Sequence, residues 1–370
     1  MNTSELNNFL VILIYGSLVL LSLLELTNPL KVNKKANAFF GVFLFLWSTF
    51  WLDEVFSLVK GSNVEIHPLI FVQVIQFLTP IVFYFSVLFF TNPAFKFKLS
   101  DVKYAVLPVI FLVNLLFRYF GIINAGISAL IFIGLILVQA LFYTGLSYFT
   151  IRKHQRRIQM FSSNTEEINL NWLEYIILVI FVMNIGYIIY NLFYDSTSLN
   201  FFINIIFLLV VYFVACYCLR QKEIYPAGKK VQEELISISS ETEAEAVKKK
   251  LISDEDFLKI KHNIEAVMQS EKPYLDSELN LIRLSELLSI STHHLSYVIN
   301  KGFNKNFFQY VNEYRIEYAK ILLKNDKNNK LSILGIAYES GFNSKTSFNN
   351  TFKKLTDQTP SEFKKTSSSL

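Results

Sequence analysis

Residues Ile333–Lys354 read ILGIAYESGFNSKTSFNNTFKK, which predicts a helix, a tight turn and a second helix. The first helix has an apolar face at helical spacing, formed by Ile333, Ile336 and Ala337. Gly341 can adopt the left-handed conformation that a sharp turn needs. Either Asn343 or Ser344 can cap the helix that follows. The stretch therefore predicts two helices packed at a sharp angle.

The second helix of this stretch has two different faces. Phe348 and Phe352 are four residues apart and are expected to pack on the first helix. The opposite face carries only hydrogen-bond donors and small polar side chains: Lys345, Thr346, Asn349, Asn350 and Lys353. A face of this kind suits a helix that lies in the major groove of DNA.

A similar pattern lies upstream. Leu281–Leu288 predicts a first helix, Ser289–Ser291 a turn and Thr292–Lys301 a second helix. Leu284, Leu287 and Leu288 are expected to form the buried stripe of the first helix, and Leu295, Val298 and Ile299 that of the second. The side chains predicted to face outward are His293, His294, Ser296, Tyr297 and Asn300.

The region from about Leu275 to Lys365 resembles the AraC/XylS family of bacterial transcription regulators. The resemblance rests on four motifs besides the opening stretch: STHHLS at 291–296, FFQYVNEYRI at 307–316, AKILL at 319–323 and TPSEF at 359–363. It implies two helix-turn-helix motifs joined by a linker helix, Phe307–Lys324. That helix would space the two recognition helices for successive major-groove segments about 34 Å apart.

The resemblance also implies roles for individual residues. His293, Ser296 and Tyr297 would read the DNA from the first recognition helix. In the second, Lys345, Thr346 and Asn349 would approach bases, Asn350 and Lys353 would approach phosphates, and Ser344 is included in the DNA-binding set. Arg315 is expected to form a buried structural ion pair. The chain departs from the family at Tyr297, where arginine is common, at Leu288, where alanine is usual, and at Asp357–Gln358, where a glycine is usual.

The rest of the chain has a different composition. Of the 370 residues, 52% are hydrophobic, 36 are Phe and only 18% are charged. The apolar excess lies before Arg220, which indicates a lipid environment for the first part of the chain and water for the second. Cys216 and Cys218 share one apolar run and are interpreted as ordinary core residues. The sequence offers no metal cluster, no phosphate-binding glycine loop and no paired nucleophile, so we expect neither a cofactor nor enzymatic activity.

Seven apolar runs have the length of a membrane-spanning helix. They are Phe9–Thr27, Ala38–Val59, Pro68–Thr91, Tyr104–Gly121, Ile127–Thr150, Trp172–Tyr194 and Leu199–Leu219. Basic residues cluster after the first, third and fifth runs, at Lys31, Lys34 and Lys35, at Lys96, Lys98 and Lys103, and at Arg152, Lys153, Arg156 and Arg157. Because positive charge marks the cytoplasmic side, the N-terminus is predicted outside and the C-terminus in the cytoplasm, where DNA is found.

These patterns divide the chain into three parts. They are a seven-helix membrane bundle over 1–220, a partly helical linker over 221–270, and a DNA-binding domain over 271–366 with motifs at about 281–301 and 332–354. Phe257, Ile260, Ile264 and Met268 predict an amphipathic helix that packs on the DNA-binding domain or on a second copy of the chain. Within the bundle, Asp53, Glu54, Gln73 and Gln76 are candidates for a polar site in the membrane.

The sequence thus favours a regulator in the bacterial inner membrane that binds double-stranded promoter DNA as a homodimer. A signal ligand or membrane partner that the sequence does not identify would control it. One alternative is a seven-helix small-molecule receptor or transporter-like protein whose tail is an interaction module. Another keeps the DNA-binding role but releases the tail by proteolysis between Arg220 and Lys250.

Overall fold

The structure is a computed structural model that describes residues 3–60, 70–179, 181–182, 198–218, 220–221, 224, 252–324 and 331–368. Within these ranges the chain is built from helices and contains no strand, in agreement with the predicted all-α fold. The chain forms two compact units. The first comprises Met1–Lys153 with Leu170–Ile224, and the second combines the short segment His154–Asn169 with the C-terminal region.

The helices of the first unit are long and apolar. They are α1 (Thr3–Thr27), α2 (Lys34–Ser48), α3 (Leu52–Lys60), α4 (Ile70–Thr91), α5 (Val106–Tyr119), α6 (Ala125–Ile158, which ends in the second unit) and α7 (Ser198–Cys218). Short 3-10 turns at Thr49–Trp51 and Leu99–Ala105 precede α3 and α5. Residues 171–179 are also helical.

The core of the first unit lies where α1, α2, α4 and α7 pack together. Ile14, Leu18 and Leu44 are fully buried there. The outer surface is apolar as well, since Leu130 is 72% exposed and Phe149 is 71% exposed. So many large apolar side chains exposed on long helices are unusual in a soluble protein and are typical of helices that face lipid.

Six helices within the described ranges are long and apolar enough to cross a membrane. They are Thr3–Thr27, Lys34–Val59, Val72–Thr91, Leu99–Tyr119, Ala125–Ile158 and Phe201–Cys218. These correspond to the predicted first to fifth and seventh spans. The sixth predicted span, Trp172–Tyr194, lies partly outside the described residues, so the total of seven stays a prediction. The second span is interrupted by the 3-10 turn at Thr49–Trp51.

The second unit contains shorter helices. They are α8 (Asp254–Ser270), α9 (Leu281–Leu287), α10 (Thr292–Phe303), α11 (Phe307–Lys324), α12 (Ile333–Glu339), α13 (Lys345–Thr356) and α14 (Pro360–Ser368). Helix α11 runs through the middle and packs against α10 on one side and against α12, α13 and α14 on the other. Its inner face carries Ile316, Ala319 and Leu323, which share one core with Phe348 and Phe352.

Candidate DNA-binding surface

The first helix-turn-helix is formed by α9 and α10. Asn280 caps α9 by accepting a hydrogen bond from the Arg283 amide at 3.0 Å, and Ser291 caps α10 through the His294 amide at 3.2 Å. These side chains satisfy amides that a helix start leaves without a partner. Ser289 supplies the left-handed residue of the turn, with φ 53°.

The inner faces of these helices match the sequence pattern with two exceptions. Leu284, Leu295 and Val298 are fully buried. Leu287 was expected in the buried stripe, but it is 44% exposed. Ser296 was expected to face outward, but it is buried and its hydroxyl accepts a hydrogen bond from Nδ2 of the Asn300 side chain at 3.3 Å. The cause is helical periodicity, because Ser296 lies one turn beyond the buried Thr292 and next to Leu295.

The remaining predicted readers of α10 are half-buried. They are His293, His294, Tyr297 and Asn300. The Tyr297 ring stands edge-on to Phe257 of α8, with ring centroids 6.0 Å apart. Helix α8 also buries Ile264 and Met268, so its amphipathic face packs on this domain, one of the two placements expected for it. Tyr297 therefore has a packing role in addition to the DNA contact that the resemblance implies.

Helix α11 carries the largest fully buried polar side chain among the described residues of the unit. Arg315 is 1% exposed, and burial lowers the pKa of its guanidinium to about 10. The expected ion pair is replaced by neutral acceptors. Its Nε donates to the Tyr274 carbonyl at 2.7 Å, and the other four bonds reach the Asp276 carbonyl, Asn312 Oδ1 and two oxygens of Ser163. The Asp276 carboxylate is paired instead with Arg283 at 2.8 Å.

The second helix-turn-helix is formed by α12 and α13. Ser332 caps α12 through the Gly335 amide at 3.0 Å, and Ser344 caps α13 through the Ser347 amide at 3.0 Å. Of the two predicted cap residues, Ser344 is thus the one used. Gly341 has φ +83°, and a Cβ atom there would lie 2.3 Å from the Tyr274 carbonyl oxygen. Both the backbone conformation and the lack of space therefore require glycine.

The outer face of α13 exposes most of the residues predicted to contact DNA. Lys345, Thr346, Asn350 and Lys353 are exposed, Ser344 is half-buried at the cap, and Phe348 and Phe352 on the other face are fully buried. Asn349 is half-buried, and its Oδ1 atom is buried without a hydrogen-bond partner within the described residues. This oxygen must turn outward before it can accept a hydrogen bond from a base. Past the helix, Asp357 adopts φ 57°, which explains why glycine is usual near this position.

In the part of the chain that the structure describes, no hydrogen bond or ion pair joins the four polar candidates of the membrane unit. Asp53 and Glu54 lie in the first turn of α3, where the positive end of the helix dipole favours acidic groups. Gln76 donates from Nε2 to the Thr49 carbonyl at 3.0 Å and so satisfies a backbone group at the break between α2 and α3. Gln73 is half-buried one turn earlier on α4.

Sequence reasoning missed the role of the segment His154–Asn169, which it treated as a loop after the fifth span. Ser163 of this segment contacts Arg315, although the two residues are 152 positions apart. The sequence signal was a polar stretch with no apolar period, which does not reveal a long-range partner.

Comparison with known proteins finds matches to the C-terminal region of the chain. A family model described as a helix-turn-helix domain matches residues 284–366. The chain is 33% identical over 148 residues to an uncharacterised HTH-type transcriptional regulator of Pseudoalteromonas carrageenovora, which covers 39% of this chain and 78% of that protein. It is 35% identical over 91 residues to an uncharacterised HTH-type regulator of Staphylococcus aureus strain COL and 31% identical over 104 residues to the HTH-type regulator GlxA of Rhizobium meliloti.

The last two similarities are confined to a part of each protein. The match covers 25% of this chain and only 12% of the staphylococcal regulator, and 28% of this chain and 31% of GlxA. No solved structure matches the chain. The match to the Pseudoalteromonas protein extends over most of that regulator, and the matched domain has the two motifs and the linker helix described above. The chain belongs to the AraC-type helix-turn-helix transcriptional regulators.

Proposed function

We propose that this chain is a multi-pass regulator of the bacterial inner membrane whose cytoplasmic AraC-type domain binds promoter DNA under the control of a membrane signal. The observation that carries the DNA-binding part is the polar outer face of α13. Lys345, Thr346, Asn350 and Lys353 are exposed there, on a helix whose other face is fixed by two buried phenylalanines. Lysine and asparagine can pair with guanine and adenine edges, and lysine can also neutralise phosphates.

Three observations support the membrane part and its orientation. Six helices have the length and composition of membrane spans. Basic residues follow the first, third and fifth spans. The segment His154–Asn169, which follows the fifth span, forms one unit with the C-terminal domain. Both must therefore lie on the same side of the membrane, and the positive charge of Arg156 and Arg157 favours the cytoplasm.

The mechanism that we propose is a shift between two populations. A ligand or membrane partner that binds one arrangement of the spanning helices more tightly would favour that arrangement. That arrangement would change how the two helix-turn-helix motifs bind the promoter. In a homodimer, it would change how the two copies of the domain bind it.

The test uses the full chain in lipid nanodiscs and labelled fragments of the upstream region of its own gene at moderate salt. We expect selective binding of at least one fragment over a scrambled sequence of equal length. Lys345→Ala and Asn349→Ala should each weaken this binding about tenfold, since a base contact contributes roughly 1–3 kcal/mol. Lys259→Ala is the matched control, because Lys259 is exposed on α8 and, within the described residues, forms an ion pair with Glu255 alone.

Equal binding of every fragment by the wild-type chain would reject promoter recognition. If both α13 variants bind as selectively and tightly as the wild-type chain, the proposed regulator function stands, but Lys345 and Asn349 are not the residues that read the DNA.

A further inference from the structure

The segment His154–Asn169, called the docking segment from here on, is bonded to the DNA-binding domain through its backbone. The Leu281 amide donates to the Phe161 carbonyl at 2.8 Å, and the Ser163 amide donates to the Leu279 carbonyl at 3.4 Å. Ser162 and Asn280 thereby form an antiparallel bridge. The docking segment is thus paired with the residues that enter α9.

The docking segment also reaches the start of the linker helix. The Phe308 amide in the first turn of α11 donates to the Gln159 carbonyl at 3.0 Å. The first four amides of a helix have no partner within the helix. The docking segment therefore satisfies one such amide in α9 and one in α11, the helices that flank the recognition helix α10.

Ser163 adds side-chain contacts at a fully buried position. Its Oγ atom accepts from Arg315 at 2.9 Å and donates to the Leu279 carbonyl at 2.5 Å. Its carbonyl accepts from Arg315 at 3.3 Å and from Asn312 at 3.1 Å. Ser163 is 2% exposed, so water does not replace these bonds when they are lost.

The two ends of the docking segment are in contact with each other. The Nε2 atom of His154 lies 2.8 Å from the Ile168 carbonyl oxygen, and Ile158 and Phe161 are buried. The docking segment begins inside α6, because that helix runs without a break from Ala125 to Ile158. A membrane-spanning helix is therefore continuous with the segment that holds the first helix-turn-helix.

We propose that the docking segment holds the first helix-turn-helix in its DNA-reading arrangement and is the element through which α6 controls that motif. This inference rests on the proposed function and names the route of its regulation. The C-terminal domain is then incomplete without a piece of chain that precedes it by about a hundred residues. A change at α6 acts on the first motif, while the second motif keeps its own contacts with α11.

The first experiment tests docking by a disulfide in the full chain in native membranes. Ser162 and Asn280 are a non-hydrogen-bonded antiparallel pair, whose Cα atoms lie about 4.5 Å apart, within the range of a disulfide. The chain carries Cys216→Ser and Cys218→Ala, Ser162→Cys with Asn280→Cys, and a protease site inserted between residues 226 and 250. We expect mild oxidation to keep the two cleaved fragments joined in most chains until a reductant is added. Crosslinking no greater than in either single-cysteine variant would overturn the proposal.

The second experiment tests control of the first motif. Ser163→Ala removes one acceptor of Arg315 and the bond to Leu279. In a hydroxyl-radical footprint by the full chain in nanodiscs, we expect about tenfold weaker protection of the half-site read by α10. Protection of the half-site read by α13 should be unchanged. Ser340→Ala is the matched control, because Ser340 is also fully buried but its Oγ has no hydrogen-bond partner in the described part of the chain.

Selective loss at one half-site together with the crosslink supports the proposal. Equal loss at both half-sites, or no loss with Ser163→Ala, overturns it. Failure of the wild-type chain to bind any promoter fragment would instead reject the proposed function and with it the regulatory role, and the crosslink would then decide docking alone.

Discussion

Gly341 provides a sharp test of how the second helix-turn-helix is built. A Cβ atom at this position would lie 2.3 Å from the Tyr274 carbonyl oxygen, 3.0 Å from the Leu275 Cα and 3.1 Å from the Arg315 Nε. The first two neighbours are backbone atoms, which cannot turn away as a side chain can. Gly341→Ala must therefore move the turn away from the loop before α9 and weaken the Arg315 bond to Tyr274.

The magnitude follows from two costs. A left-handed alanine costs about 1–2 kcal/mol, and overpacking of a tight site costs about 1–3 kcal/mol. Together they predict a loss of about 2–5 kcal/mol, which is a large part of the roughly 5–15 kcal/mol by which domains are stable. At 1.36 kcal/mol per factor of ten, this corresponds to about a 30-fold to several-thousand-fold larger population of the unfolded domain.

The assay is hydrogen exchange with mass spectrometry on the full chain in detergent. The three Trp residues, Trp47, Trp51 and Trp172, all lie in the membrane unit, so tryptophan fluorescence does not report on this domain. The most protected amides of α11 should exchange faster by the factor given above. Gly335→Ala is the control of opposite sign, since its Cβ would meet neighbours at 3.4 Å or more within a helix, where alanine is favoured over glycine. Protection of α11 in Gly341→Ala that matches the wild-type chain would refute the steric argument.

Three further predictions concern the DNA-binding domain. Lys353→Ala should weaken binding of all DNA sequences alike and lower the slope of log K against log salt by about one. Fluorescence anisotropy from low to moderate salt measures both effects. A loss of affinity confined to one sequence would identify Lys353 as a base reader. Ser344→Asp should keep the cap of α13 and the hydrogen-exchange protection of that helix, but it should reduce DNA affinity because the new carboxylate repels phosphates. Ser344→Ala should instead lower the protection of α13 by about 1 kcal/mol. Equal DNA affinity of the Ser344→Asp and wild-type proteins would place Ser344 away from the DNA. Glu362 accepts a hydrogen bond from the Thr359 amide at 2.7 Å, which lowers the pKa of its carboxyl below the usual 4.5. The stabilisation of α14 by this bond is therefore present above pH 4.5 and is lost as the pH falls through the lowered pKa. Exchange of the α14 amides should therefore differ between wild type and Glu362→Gln at neutral pH and converge in acid, and a pH-independent difference would contradict this.

Local features of the fold could be predicted from the sequence because they depend on neighbouring residues. Ser344, one of the two residues predicted as a cap, caps α13, and Gly341 takes the left-handed conformation that the turn requires. Phe348 and Phe352 share a core with Ile336 and Ala337 of α12, as their spacing predicted. The apolar runs also located all six candidate spans that lie in the described residues, although they gave no sign of the 3-10 turn that interrupts the second.

The errors arise where neighbouring residues do not decide the outcome. Ser296 was assigned to the outer face because it is polar, but the inner face of α10 is wide enough to include it beside Leu295. The exposure of Leu287 shows the converse, since an apolar residue can lie at the edge of a short helix. The partner of Arg315 was inferred by resemblance to be a carboxylate, and no local pattern could indicate Ser163 as its actual neighbour.

The arrangement around Arg315 explains why an arginine can be buried here without an ion pair. A guanidinium has five N–H donors, and five oxygen acceptors surround it, so every donor has one recorded bond. With its pKa lowered only to about 10, the group remains charged at neutral pH, and its charge is balanced by oriented neutral dipoles instead of a buried carboxylate. Two of the five acceptors belong to Ser163, and the Tyr274 carbonyl, which accepts from Nε, also closes the space beside Gly341. Tyr274, Asp276 and Asn312 supply the other three acceptors, and the guanidinium carbon lies 5.7 Å from the centroid of the Phe342 ring in the turn of the second motif. If the docking segment releases the first motif as proposed, Arg315 therefore keeps three of its five bonds and its place beside the second motif.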